Sequence, residues 1–381
     1  MVVIMSLTAR IKRLLKQSDL LFSWKYRHDF KEYRENLGLM KSCRVKTQAE
    51  IAAEMADLRN YWHCRPDHYV RYGLFDKKLS REELRDYIPP YIFYAKFLLE
   101  EYKKFPIERF NNKSFLYDFF TERGIPTPPV LARGRIDHLT TPDGQAVTLK
   151  DIIDTELTAE AEKLFIKPCG GSGGNGIVVL SRRGGELCRG REKTSIAELL
   201  TGGAFGNAEF VIQKGLKQRG DISMIAPNSI NTLRIVTRKE GDGISMPICI
   251  MRIGRNSSDV DNSAQGGLSV VIDTRTGAFA EHAFAEHGGG LFEKHPDTGF
   301  VFAGKRIEGW DAIRAKVIEF AGRLADLPIF AWDVALTVDG PCIIEINFNF
   351  GIDHIQCCAG GMRRRFHIGP NGENVFEDSH E

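Results

Sequence analysis

Apolar residues recur at helical spacing through the first hundred positions. Ile4, Leu7, Ile11, Leu14 and Leu15 follow a helical period, with Arg10, Lys12, Arg13 and Lys16 among them. Residues 48–64, QAEIAAEMADLRNYWHC, keep that period without an internal Gly or Pro. Ser80 followed by Glu83 predicts a capping box ahead of EELRDYI. Pro89-Pro90 breaks the pattern, and YIFYAKFLLEEYKKF predicts its resumption as a helix. Glycine is nearly absent here and frequent after residue 123, which predicts a boundary near residue 110.

Beyond that boundary the period changes. Lys113–Arg123 reads as a helix stopped by Gly124-Ile125-Pro126. Short apolar runs predict strands at Val130–Ala132, Leu164–Lys167, Ile177–Leu180, Phe210–Gln213, Thr232–Thr237, Ser245–Ile253 and Leu268–Asp273. Trp310–Leu324 is predicted helical. Ala331–Val338 and Cys342–Asn347 read as two strands joined by Asp339-Gly340, a hairpin signal. The end of the chain, basic at Arg363, Arg364 and Arg365 and then polar, reads as a loose tail. There is no internal repeat.

Composition narrows the class. With 43% hydrophobic and 27% charged residues, the 381-residue chain has the makings of a sizeable folded core and is not a disordered polymer. Lys plus Arg (52) nearly balances Asp plus Glu (50), which argues against whole-chain binding to nucleic acid. The eight scattered cysteines include no CxxC pair and fit reduced thiols. No run approaches the ~18 apolar residues of a membrane span. The cationic N-terminal period fits a helix packed on its own domain or one lying on an anionic membrane surface. The expected location is cytoplasmic, with peripheral contact at the inner membrane face as an option.

Two segments carry chemistry. Gly171-Ser172-Gly173-Gly174-Asn175-Gly176 formally matches GxGxxG, but IVVLS follows it. A dinucleotide turn must open a helix, and a Walker loop needs a following GK[ST], so both readings fail. A strand bearing Lys167, a glycine hairpin and a return strand instead predict a flap over phosphate, because glycines let backbone N–H groups approach its oxygens. The second segment pairs Asp333 in AWDVAL with Glu345 and Asn347 in IIEINFNFG. Positions 345 and 347 share one strand face, and Asp333 lies on the preceding antiparallel strand. Two carboxylates and an amide oxygen are hard ligands suited to Mg²⁺ that also holds substrate phosphates.

Together these pieces resemble the ATP-grasp superfamily. The resemblance rests on Lys113 before a helix, GIPTP, FIKPCGGSGGNGIVVL, FVIQKGL and an Asp–x11–Glu-Ile-Asn spacing. SINTLRIVT after a helical N-terminal region looks most like the sugar-transfer-associated branch. The resemblance covers roughly residues 60 to 357. It implies an α+β fold with two lobes clamping ATP and a helical N-terminal segment. The regions expected are a helical one over 1–108, an ATP-grasp domain over 109–361 and a tail over 362–381. Within the domain, the flap lobe would span about 114–212 and the metal-bearing lobe about 213–361.

The resemblance also implies roles. Lys113 and Lys167 match the phosphate lysines, and Gly171, Ser172, Gly173, Gly174, Asn175 and Gly176 the glycine loop. Gln213, Lys214 and Leu216 match the hinge that reads adenine, and Asp221 is the nearest acid for the ribose. Arg234 and Arg252 match substrate-side arginines at the transition state, and Asp333, Glu345 and Asn347 match the magnesium ligands. Asn262 falls where relatives carry an asparagine near the metal. The activity implied is an ATP- and Mg²⁺-dependent carboxylate–amine (or other nucleophile) ligase acting through an acylphosphate, in cell-surface polysaccharide or peptide-conjugate biosynthesis. A kinase phosphorylating a sugar or polyol hydroxyl is the alternative, with His354 or Asp353 as its base. The chain departs from many relatives in that its first 108 residues read as helical where those relatives begin with a Rossmann-like domain, and in the missing proline after the metal motif.

Overall fold

The computed structural model describes residues 18–159, 162–171, 176–201, 205–256, 266–285 and 290–375. These fall into two compact units. One combines the chain up to Phe105 with the chain from Asn349 onward, and the other is Pro106–Phe348.

The first unit is helical. Asp19–Asp29, Lys31–Lys41 and Gln48–Trp62 are its longer helices. Thr47 and Glu50 close a capping box at the third, and Ser80 and Glu83 close the predicted one at Arg81–Arg85, so orphan N–H groups are met at both starts. The helix expected over residues 91–105 begins at Pro90, widens into a π-turn at Phe93–Phe97 and ends at Glu101. Phe105 precedes Pro106, which disfavours helical backbone there.

The end of the chain corrects an expectation. Residues 362–375 are not a loose tail but part of the helical unit. Met362, Phe366 and Ile368 are fully buried. Phe366 lies 6.1 Å from both Phe93 and Phe350, ring to ring. The backbone N–H groups of Met362 and Arg363 donate to the Asp86 carbonyl at 2.8 and 2.9 Å, and Arg364 N–H donates to the Asp86 carboxylate at 2.9 Å. Gly361 makes this approach possible, since a Cβ there would sit 2.7 Å from Asp86 Cβ. The stretch after residue 348, including the helix Ile352–Ala359, also belongs with the helical unit and not with the strands before it.

The second unit holds two antiparallel sheets. The strands of the first are β1 (Val130–Arg135), β2 (His138–Thr140), β3 (Ala146–Val147), β4 (Lys163–Pro168), β5 (Val178–Arg183), β6 (Glu186–Arg189), β7 (Glu192–Lys193) and β8 (Glu209–Lys214), in the order β3-β2-β1-β8-β4-β5-β6-β7. Ile152, Ile153, Leu164, Ile166, Leu180, Phe210 and Ile212 are among the side chains that form its core. β4 and β5 pair from Ile166–Val178 outward, so the glycine segment joins two antiparallel strands, as a flap requires.

The second sheet runs through β9 (Thr232–Glu240), β10 (Gly243–Ile253), β11 (Leu268–Ile272), β12 (Phe279–Ala285), β13 (Leu291–Phe292), β14 (Ile329–Thr337) and β15 (Gly340–Asn347). Its order is β13-β12-β11-β10-β9-β14-β15. The helix Trp310–Gly322 precedes β14. Every residue of β14 is buried, so its run IFAWDVALT is that of a strand covered on both faces.

Candidate functional site

Cross-strand register builds the centre of the site. Asp333 on β14 stands directly opposite Arg234 on β9 and Glu345 on β15. Arg234, Asp333 and Glu345 therefore form a row across three adjacent strands, on one face of the sheet. Trp332, one position earlier, points to the other face, where its Nε1 donates to Thr237 Oγ1 at 2.8 Å and its ring lies 6.4 Å from Phe120. A register shift in β15 between the partners of Asp333 and Val334 leaves Ile344 as the extra residue, and such bulges re-aim neighbouring side chains.

A carboxylate on a fully buried strand costs several kcal/mol unless it is paired and hydrogen-bonded. Asp333 meets that cost with two guanidiniums. Arg234 Nε and one of its terminal nitrogens donate to the two Asp333 oxygens at 2.6 and 2.9 Å, and Arg252 adds a third bond at 3.0 Å. Arg252 lies on β10 two residues beyond Ile250, which is the partner of Arg234, so strand alternation puts both arginines on the same face. Asn347 Nδ2 approaches Asp333 at 3.4 Å and Glu345 at 3.3 Å. Burial alone would push the Asp333 carboxyl up, but Arg234 and Arg252 outweigh it and hold the group below the usual range. Glu345 goes the other way: burial first, then the Asp333 charge, raises it.

Lys167 enters from the other sheet. It sits at the end of β4, and Glu345 is among the charges acting on it. Desolvation lowers the ammonium to about 8, the Glu345 charge opposes that fall, and Lys113 adds to it. Two carboxylates thus face three cations, Arg234, Arg252 and Lys167. The cluster is short of negative charge, the condition in which a polyphosphate is favoured. Lys113 is the first residue of the helix Lys113–Glu122, which Asn112 caps, and its Nζ donates to the Gly171 carbonyl at 3.1 Å. That contact ties it to the root of the glycine segment. Ser172, Gly173, Gly174 and Asn175 lie outside the described residues, as does Asn262. Gly171 and Gly176 flank the segment, both with positive φ, and a Cβ on Gly176 would press on Pro168 Cγ at 3.1 Å.

The hinge side chains are engaged within the protein. Gln213 is buried and donates to the Pro128 carbonyl at 3.2 Å. Lys214 pairs with Glu156 at 3.0 Å and Glu162 at 3.8 Å. Asp221 accepts two bonds from Arg219, at 2.6 and 2.7 Å, so its carboxylate is already satisfied. Leu216 is half-buried. Gly215 fits between Lys214 and Leu216 because β4 passes so close that a Cβ would lie 2.9 Å from the Lys163 carbonyl.

One contributor escaped the sequence reading. Asn231, just ahead of β9, is buried and accepts a bond from Gly254 N–H at 3.4 Å while its amide donates to Gln218, Ile222 and Ala226. It pins the turn after the hinge to the end of the Arg252 strand. Its place in SINTLRIVT was the available signal. Asp353, considered as a base, is instead buried in the helical unit and accepts bonds from Tyr26, Tyr72 and Tyr94 at 2.7, 3.3 and 3.3 Å. His354 lies 3.7 Å from Cys358 Sγ. None of the eight cysteines forms a disulfide, and no group of three His, Cys, Asp or Glu suited to a metal occurs among the described residues.

The flap hairpin, the row of charges and the two antiparallel sheets define the class as ATP-grasp. Residues 93–367 match the family described as sugar-transfer associated ATP-grasp, and the chain belongs to that family. Similar solved structures include a carboxyaminoimidazole ribonucleotide synthase from Aspergillus clavatus complexed with ATP, at 15% identity and a TM-score of 0.35, covering 67% of this chain and 50% of that one. An L-amino acid ligase from Bacillus licheniformis matches at 14% identity and a TM-score of 0.35, over 71% of this chain and 48% of that one. A D-alanyl-alanine synthetase A from Vibrio cholerae matches at 13% and 0.34, over 68% and 66%. The chain thus spans about half the length of the first structures it matches. No curated protein matches it.

The lowered Lys167 gives a testable pH signature. Its ammonium is the form that attracts phosphate, and it is lost as pH rises through about 8. ADP affinity, measured by calorimetry between pH 7 and 9.5, is expected to fall above that value and to be accompanied by proton uptake. Lys167→Ala should bind ADP at least about tenfold more weakly and without that pH dependence, through loss of a point charge suited to polyphosphate. The same pH dependence in the variant would remove Lys167 from the nucleotide site.

Proposed function

We propose that the protein is an ATP- and Mg²⁺-dependent ligase that activates a carboxylate as an acylphosphate and passes the acyl group to an amine or another nucleophile. A cell-surface setting, in polysaccharide or peptide-conjugate assembly, is part of the proposal, and what supports it is the family's association with sugar transfer. The observation that supports the reading most is the row Arg234–Asp333–Glu345, flanked by Arg252 and Asn347 and approached by Lys167.

The residues fit magnesium. Asp333 and Glu345 are hard carboxylates on one face, and a half-turn of the Asn347 amide would turn its oxygen to where Nδ2 now meets both of them. When bound, Mg²⁺ neutralises charge on the phosphate oxygens during transfer. Lys113 and Lys167 would orient the polyphosphate from the flap side. Arg234 and Arg252 would meet the negative charge that develops on the acceptor carboxyl, each from its place on Asp333. Exclusion of water from the acylphosphate would protect it from hydrolysis. ATP use and eight cysteines that form no disulfide favour a cytoplasmic setting.

The test is ATP consumption with carboxylate-plus-amine pairs set against sugar hydroxyls, followed by mass analysis of the product. An amide with ADP and phosphate supports the ligase. A phosphorylated sugar with ADP alone would replace it with a kinase.

A further inference from the structure

We propose that the helix Asp19–Asp29 is a docking face for an anionic lipid surface. Its sequence is DLLFSWKYRHD. At roughly 100° per residue, Leu20, Trp24, His28, Leu21 and Lys25 fall on one side within about 140°. Leu20, Leu21 and Trp24 are 59%, 42% and 61% exposed, large apolar side chains grouped on a single helix face. The Trp24 and His28 rings lie together, 4.6 Å between centroids. Lys25 is 75% exposed, and among the described residues its ion pair is a 3.7 Å surface contact with Asp29, which does little to neutralise its charge. Aromatic, leucine and cationic side chains on one face are the composition of an interfacial helix.

The opposite face holds the helix in place. Ser23 and Tyr26 are buried; Ser23 donates to Asp67, Arg27 donates to the same carboxylate at 2.8 and 2.7 Å, and Tyr26 donates to Asp353 at 2.7 Å. The apolar face is therefore turned outward by a buried polar network and cannot roll inward without breaking it. Chain immediately before the helix matches the charge of the proposed partner. Residues 1–17 carry Arg10, Lys12, Arg13 and Lys16, and no carboxylate precedes Asp19. Four cations in the sequence just ahead of the helix, together with its exposed Trp–Leu face, complement in composition an anionic headgroup layer over apolar tails. This inference does not depend on the ligase reading.

Trp24 supplies its own probe, because Trp62, Trp310 and Trp332 are 0%, 2% and 0% exposed. The full chain is mixed with phosphatidylcholine vesicles with and without phosphatidylglycerol. Expected are co-sedimentation with the anionic vesicles that weakens with salt, a blue shift of Trp24 emission, and its protection from acrylamide. Leu20→Ser/Leu21→Ser, both on exposed positions, should keep the fold and lower the vesicle partition at least about tenfold through lost apolar burial. Absence of co-sedimentation with anionic vesicles overturns the proposal, as does binding unaffected by the double substitution. Shielding of Trp24 from acrylamide before vesicles are added also overturns it. That result would mean that the face is covered by residues 1–17 or by a second copy, and the solution mass separates the two.

Discussion

Glu345→Gln is expected to remove magnesium-dependent turnover while leaving the protein as stable as before, or slightly more so. The substitution keeps the shape of the side chain and deletes one of two negative charges facing Arg234, Arg252 and Lys167. A metal ion would then be left with one carboxylate and an amide. If the ion supplies several kcal/mol to phosphoryl transfer, about 4 kcal/mol corresponds to a loss of roughly 1,000-fold. Stability should behave differently. Burial and the neighbouring Asp333 charge both raise the Glu345 carboxyl, so its ionised form is disfavoured by the fold and a neutral isostere relieves that. Turnover against magnesium concentration, with thermal unfolding alongside, reads both effects. Wild-type turnover at low magnesium would take Glu345 out of the metal site.

The second large effect belongs to Arg234. Read from sequence, it is a substrate-side arginine whose loss spares nucleotide binding and costs about 3–4 kcal/mol in rate. The structure adds a second duty, because its guanidinium forks the buried Asp333 carboxylate at 2.6 and 2.9 Å. Removing one partner of a buried pair costs about 3–5 kcal/mol, reduced here because Arg252 stays in place at 3.0 Å. Arg234→Ala should therefore lose both stability, by about 2–3 kcal/mol on that argument, and turnover, by roughly 100- to 1,000-fold. Arg234→Ala/Asp333→Asn separates the two. It removes the stranded charge and should recover most of the stability without recovering turnover. Unfolding in denaturant and turnover are measured on the three proteins. If the single variant unfolds like wild type, Arg252 alone sustains Asp333 and Arg234 acts on the substrate only. If the double variant stays as unstable as the single one, the fork is not what holds Asp333.

The charge balance also bears on how the site fills. Three cations around two carboxylates give a bare divalent ion little to gain, whereas a polyphosphate supplies the missing negative charge. Metal and nucleotide would then enter together.

Much of the second unit was legible in the sequence because its signals are local. Short apolar runs place β4, β5, β8, β9, β10 and β11 within a few residues of their observed limits. The strand after the glycine segment ruled out a dinucleotide turn, since the run IVVL reads as a strand where such a turn must open a helix. The Asp339-Gly340 turn fixed the hairpin that sets Asp333 opposite Glu345. In the helical unit, Ser80 with Glu83 announced a cap for the same reason: its atoms lie three residues apart.

What sequence could not decide depends on pairings between distant segments. Arg234 meets Asp333 across 99 residues because β9, besides pairing with its successor β10, pairs on its other edge with the distant β14, and no local pattern encodes that order. The same holds for the three tyrosines that saturate Asp353, and for Asp86, which draws residues 362–364 into a fold where composition suggested a loose tail. Polar tails and buried polar networks share the same residue types. Only the tertiary structure decides between them, because the cost of burying such groups is met by partners that sequence spacing does not show.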